Sequence, residues 1–131
     1  MTTHASGTWK IQSWDEQPVH EDGARLTRAS VEQSFSGDIQ GEGSVEWLMC
    51  YRQDQTADFV GLQRVDGQLG DRSGSVVLQT VGTFDGSEAR AEWTVVPGSG
   101  SGGLEGLRGT GGFSAPHGGQ ATVSLDYEFE R

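Results

Sequence analysis

The sequence predicts an all-β domain: a single closed antiparallel barrel of eight strands, with little helix. Three observations predict it. Turn signals recur at short, regular intervals along all 131 residues. Between them, apolar and polar residues alternate with the period of two that a half-buried strand requires. No window carries a convincing 3.6-residue apolar period.

The turn signals are Pro18 and Asp22-Gly23, Gly37-Asp38, Asp54, Asp66-Gly67, Asp85-Gly86, Pro97 to Gly103, and Pro116 to Gly119. Asp-Gly between alternating apolar residues marks a hairpin, because both turn positions need positive φ. Strands are therefore expected over 6–16, 25–35, 44–52, 57–65, 73–84, 88–96, 108–113 and 121–130. In the second, Ala29, Val31, Gln33 and Phe35 share the inward face. In the third that face is Val45, Trp47, Met49 and Tyr51, which leaves Glu46, Leu48, Cys50 and Arg52 outside. The sixth turns Ala89, Ala91, Trp93 and Val95 inward, and the last Val123, Leu125, Tyr127 and Phe129.

The fourth and fifth strands are apolar on both faces. Phe59, Gly61, Gln63 and Val65 alternate with Val60 and Leu62; Val76 and Leu78 alternate with Val77 and Val81. One face lines the interior and the other is free to pack on a second subunit, so a homodimer is expected. A barrel is preferred to a sandwich because closure leaves no exposed strand edge.

A chain of this length is one domain, 1–131, and buries roughly two-thirds of its extended surface. Its hydrophobic content of 33% is low, and the 21 glycines account for the difference. A net charge of −10 argues against nucleic acid and anionic membrane as partners and favours neutral or cationic ligands. Cys50 is the only cysteine, so no intrachain disulfide forms. No signal-type run follows Met1 and no stretch has membrane length, so a cytoplasmic location is expected.

Several chemistries are excluded by their missing motifs. His4, His20 and His117 have no spacing that places two on one face as metal ligands, so no metal is expected. Asp15-Glu16 and Glu21-Asp22 read as solvated charges near a turn. Cys50 reads as a small buried hydrophobe rather than a nucleophile. Gly98, Gly100 and Gly103 fit G-x-G-x-x-G, but a dinucleotide site needs a helix next. Glycine recurs too often between Leu104 and Gly112 for one to form, so no cofactor is expected.

The same segment carries a resemblance. Pro97-Gly98-Ser99-Gly100-Ser101-Gly102 running into Leu104-Glu105-Gly106-Leu107-Arg108-Gly109 resembles a small actinobacterial barrel family of the allene oxide cyclase-like superfamily. Phe35-Ser36-Gly37-Asp38-Ile39, Gly41-Glu42-Gly43-Ser44, Phe59-Val60-Gly61-Leu62 and Leu125-Asp126-Tyr127-Glu128 extend it over nearly the whole chain. The family pattern carries acidic residues at the positions of Gln63 and Gly103, and this chain has none there. The resemblance implies cyclases that fold polyene chains for cycloaddition without metal or cofactor.

The stripe Trp47-x-Met49-x-Tyr51, beside Gln33 and Phe35, is the candidate site. Aromatics at period two also fill solid barrel cores. Yet indole N–H and phenol O–H need partners when buried, and Met suits a surface that accepts a flexible ligand. The expected function is a cofactor-free cyclase acting on a linear or macrocyclic polyene, a polyketide intermediate, with a non-catalytic binding barrel and a filled housekeeping barrel as alternatives. Trp47, Met49, Tyr51 and Gln33 are the catalytic candidates, with Gln33 or Tyr51 bonding a substrate carbonyl. Phe35, Val31, Val45, Phe59, Gln63, Trp93 and Tyr127 are the substrate-contacting candidates.

Overall fold

The computed structural model describes residues 2–116 and 120–130. In chain order the strands are β1 (Thr3–His20), β2 (Arg25–Gly37), β3 (Ile39–Tyr51), β4 (Ala57–Leu69), β5 (Arg72–Phe84), β6 (Glu88–Val95), β7 (Ser101–Gly102), β8 (Leu107–Pro116) and β9 (Ala121–Phe129). Among the described residues there is no helix. Eight strands close an antiparallel ring in which β9 returns to β1, while β7 lies outside it on β5. The barrel read from alternation and turns is the observed architecture. His117, expected in a loop, lies outside the described residues.

Most strands run past their expected ends, and two turn signals are overturned. Asp66-Gly67 lies within β4; the chain reverses at Gly70, which takes φ +62°. Gly67 serves a different purpose. Gly41, Gly67, Gly74 and Gly102 face one another across four strands, and a Cβ at Gly67 would stand 2.8 Å from the Gly41 Cα. Glycine is there so that backbones can cross closely where the sheet bends. Pro18 likewise falls inside β1, beside a register shift between Pro18 and His20. Beyond Trp9, β1 pairs with β2 alone among the described residues, so a missing N–H is tolerated there.

A second irregularity in β1 positions the site. Ile11 pairs with Gln33 but Ser13 pairs with Glu32, so Gln12 is an extra residue on one strand. Such a bulge shifts every later side chain to the opposite face. Trp14 is thereby set against inward Val31, and Glu16 against inward Ala29.

Inside, large and small residues alternate around the ring. Ala29, Trp47, Gly61, Thr80, Trp93, Gly111 and Leu125 follow one another across seven strands. Gly61 makes room for its neighbour, since a Cβ there would stand 2.7 Å from Trp47 Cδ1. The interior face of β4 and β5 carries Phe59, Gln63, Val65, Val76, Leu78 and Thr80, all buried, whereas Val60, Leu62 and Val81 are exposed.

One end of the barrel is filled. The glycine-rich loop after β6 is stitched to β5 by the Gly103 N–H, which donates to the Ser73 carbonyl at 2.7 Å. It carries Leu104 back into the core, where only 2% of that residue remains exposed. A buried leucine is why this polar stretch packs at all.

Candidate functional site

The other end opens into a cavity of about 540 Å³. Its floor is aromatic: Trp9, Trp47, Phe59 and Phe113, all buried, with Met49 beside them. Trp9 and Phe113 stand 4.3 Å apart between ring centroids, and Trp47 and Phe59 5.3 Å. These tilted pairs let ring edges meet ring faces. Exposed Ile11 and Trp14, half-buried Tyr51 and Phe84, and the small Ala89 and Ala115 form the rim. Uninterrupted alternation in β3 sets Trp47, Met49 and Tyr51 at successive heights from floor to mouth.

Glu16 organises the rim. Its Oε2 accepts from the Thr27 hydroxyl at 2.6 Å and from the Tyr51 hydroxyl at 2.9 Å, and its Oε1 accepts from Trp14 Nε1 at 3.0 Å. Burial alone would push this carboxyl up. The three hydrogen bonds, with the Arg25 charge, outweigh that and hold it below the usual carboxylate range. The Tyr51 phenol is pushed up to about 12, by burial first and then by its bond to Glu16. The Arg25 guanidinium lies 4.5 Å from the Tyr51 ring centre.

Of the residues expected to carry chemistry, Trp47, Met49, Tyr51 and Phe59 line the cavity. Gln33 does not. It is wholly buried below the floor, where its Oε1 accepts from Gln63 Nε2, and Gln63 Oε1 accepts from Trp93 Nε1 at 3.1 Å. Polar groups sealed in a core bond each other, so the chain Gln33–Gln63–Trp93 braces the barrel instead of orienting a guest. Val31, Val45 and Phe35 are buried core beside this chain and do not line the cavity. Tyr127 is at the filled end, edge-on to Phe129 and 3.6 Å by its hydroxyl from where a Gly70 Cβ would be. Trp47 Nε1, Gln33 Nε2 and Thr80 Oγ1 are buried without a hydrogen-bond partner among the described residues.

A family model described as a protein of unknown function, DUF3224, matches residues 5–127. The chain belongs to this family. A crystal structure of a DUF3224 protein with unknown function from Shewanella oneidensis is similar to it at 28% identity, with a TM-score of 0.81 and full coverage of both chains. No functionally curated protein matches.

In this DUF3224 chain sequence reasoning missed Trp9, Trp14, Phe84 and Phe113 of the cavity lining and, at the rim, Glu16. Beside Asp15, and with a turn signal at Pro18, it reads as solvated; the bulge at Gln12 instead swings it inward, half-buried. Nothing in the local sequence marks that bulge. Among the described residues, no group of three His, Cys, Asp or Glu is placed to hold a metal ion, and no helix is long and apolar enough to cross a membrane.

Proposed function

We propose that this barrel binds a compact, largely apolar small molecule in the open cavity. The observation that carries the reading is the cavity itself: about 540 Å³, floored by buried aromatic side chains. Core side chains normally interdigitate and leave few voids larger than a water molecule. A well walled by indole and phenyl groups, with a few polar atoms at its lip, has the composition of a ligand site.

The finer reading is that the bound guest is a flexible polyene and the reaction a cofactor-free cyclisation. The walls would hold the reactive conformer and so remove rotational entropy before the barrier. Well-oriented groups gain several kcal/mol this way, up to roughly 7–11. The allene oxide cyclase-like kinship and actinobacterial origin drawn from the sequence motifs belong to this proposal. Trp47 Nε1, buried and unpaired in the cavity wall, gives it one specific support, since an indole N–H can donate to a conjugated carbonyl.

One experiment tests both levels. A neutral conjugated polyene titrated into the protein should quench tryptophan fluorescence, and Ala89→Phe, which fills the rim, should weaken binding at least tenfold while the barrel stays folded. Unchanged affinity in folded Ala89→Phe overturns the cavity reading. A cyclic isomer of unchanged mass after incubation supports cyclisation; recovery of the polyene intact leaves binding alone.

We also propose that two copies pair through the outer face of β3 to β5. Leu48, Val60 and Val81 lie side by side across these strands, with Leu62 next along β4, and all four are about half exposed. Arg28 with Glu46, and Arg52 with Asp58, already form ion pairs at the edges of this face. In a molecule of net charge −10, this locally balanced apolar patch is where a second copy meets little repulsion.

A further inference from the structure

We propose that the cavity selects an amphiphilic cation, its apolar body among the rings and its ammonium group at the mouth beside Glu16. The inference rests on the ligand-binding reading above and names the ligand class for that site.

Three features of the mouth agree. Glu16 is the only acidic side chain hydrogen-bonded to cavity-lining residues among the described residues, through Trp14 and Tyr51. Its three neighbours all donate and leave it acceptor capacity, so a carboxylate is fixed in place before any guest arrives. Beside it stand the Trp14 and Trp47 rings, 5.8 Å apart between centroids, and aromatic rings attract cations over their faces. The field of a chain carrying −10 draws cations and repels anions.

Among the described residues Arg25 is the cation that faces the same rim, and it could favour an anion instead. Its guanidinium is engaged over the Tyr51 ring, however, and among the described residues no ion pair joins it to Glu16. Glu16 therefore keeps a charge that a guest can answer. Thr27 and Tyr51 bring hydroxyls, which hold the carboxylate without neutralising it. The same geometry disfavours a guest carboxylate, which would meet the Glu16 charge that Arg25, held over the Tyr51 ring, only partly offsets.

Three probes sharing one chain test this: octylammonium, 1-octanol and octanoate, titrated at neutral pH with tryptophan fluorescence and calorimetry as readouts. The expected order is ammonium, then alcohol, then carboxylate, with the first binding roughly five- to tenfold tighter than the second, as a partly desolvated cation–π and carboxylate contact would give. In Glu16→Gln the ratio of ammonium to alcohol affinity should fall close to one. Equal binding of ammonium and alcohol to the wild type, or octanoate binding tightest, overturns the inference and leaves the cavity reading standing. Failure of all three probes to bind overturns both. Should Glu16→Gln not fold, the ranking on the wild type decides alone.

Discussion

Glu16 is where the chemistry of single residues departs furthest from their appearance in the sequence. Its folded-state pKa lies below its ordinary value of 4.5, so folding favours the ionised form. Its contribution to stability is then fully present above that value and is lost as pH falls through the lowered one. The thermal stability gap between wild type and Glu16→Gln should be largest near neutral pH and close on acidification below the ordinary carboxyl range. A gap that stays constant down to acid pH would mean that the charge plays no part. Trp47, Met49 and Tyr51, by contrast, were legible, because nothing interrupts the alternation of β3 and each side chain falls on the face its parity demands. The two glutamines were legible as inward-facing but not as mutual partners. Alternation gives a side chain's direction; it does not tell how deep in the barrel the residue sits.

At the scale of the strand, β1 is decided by one inserted residue. Deleting Gln12 removes the extra residue, so Ser13 follows Ile11 directly and Trp14 and Glu16 keep their inward faces in a strand with strict alternation. The deletion variant should retain the far-ultraviolet signature of a barrel, since β1 still pairs with β2. Its affinity for an apolar probe should stay close to that of the wild type, and a loss of about tenfold, ~1.4 kcal/mol, in the folded deletion variant would refute the reading of Gln12 as the extra residue. The existence of the eight barrel strands could be read from the sequence because turns and period-two patterns are local signals. Asp66-Gly67 misled for the opposite reason: its glycine answers a neighbour 26 positions away in the chain, Gly41, across the sheet. Such a contact leaves no local trace. β7 escaped notice as well, since two residues that pair with β5 carry no periodicity.

For the whole molecule, the outer face of β3 to β5 is the surface through which we propose that two copies pair. Both faces of β4 and β5 are apolar in the sequence, and burial separates them: Phe59 is 3% exposed and Val60 49%. If two copies pair through this surface, Val60→Glu should convert the dimer to a monomer in sedimentation while leaving ligand affinity intact, because Val60 points away from the cavity. A wild type that sediments as a monomer at high concentration would refute the pairing.

The leucine cork and the buried amide chain beneath the aromatic floor make the barrel a blind well. Under the binding reading proposed above, whatever enters past the Trp14 lip must leave by the same doorway, and a bound guest stands in the way of the next arrival. A long molecule can dip one end inside and trail the rest in water, but nothing can be threaded through.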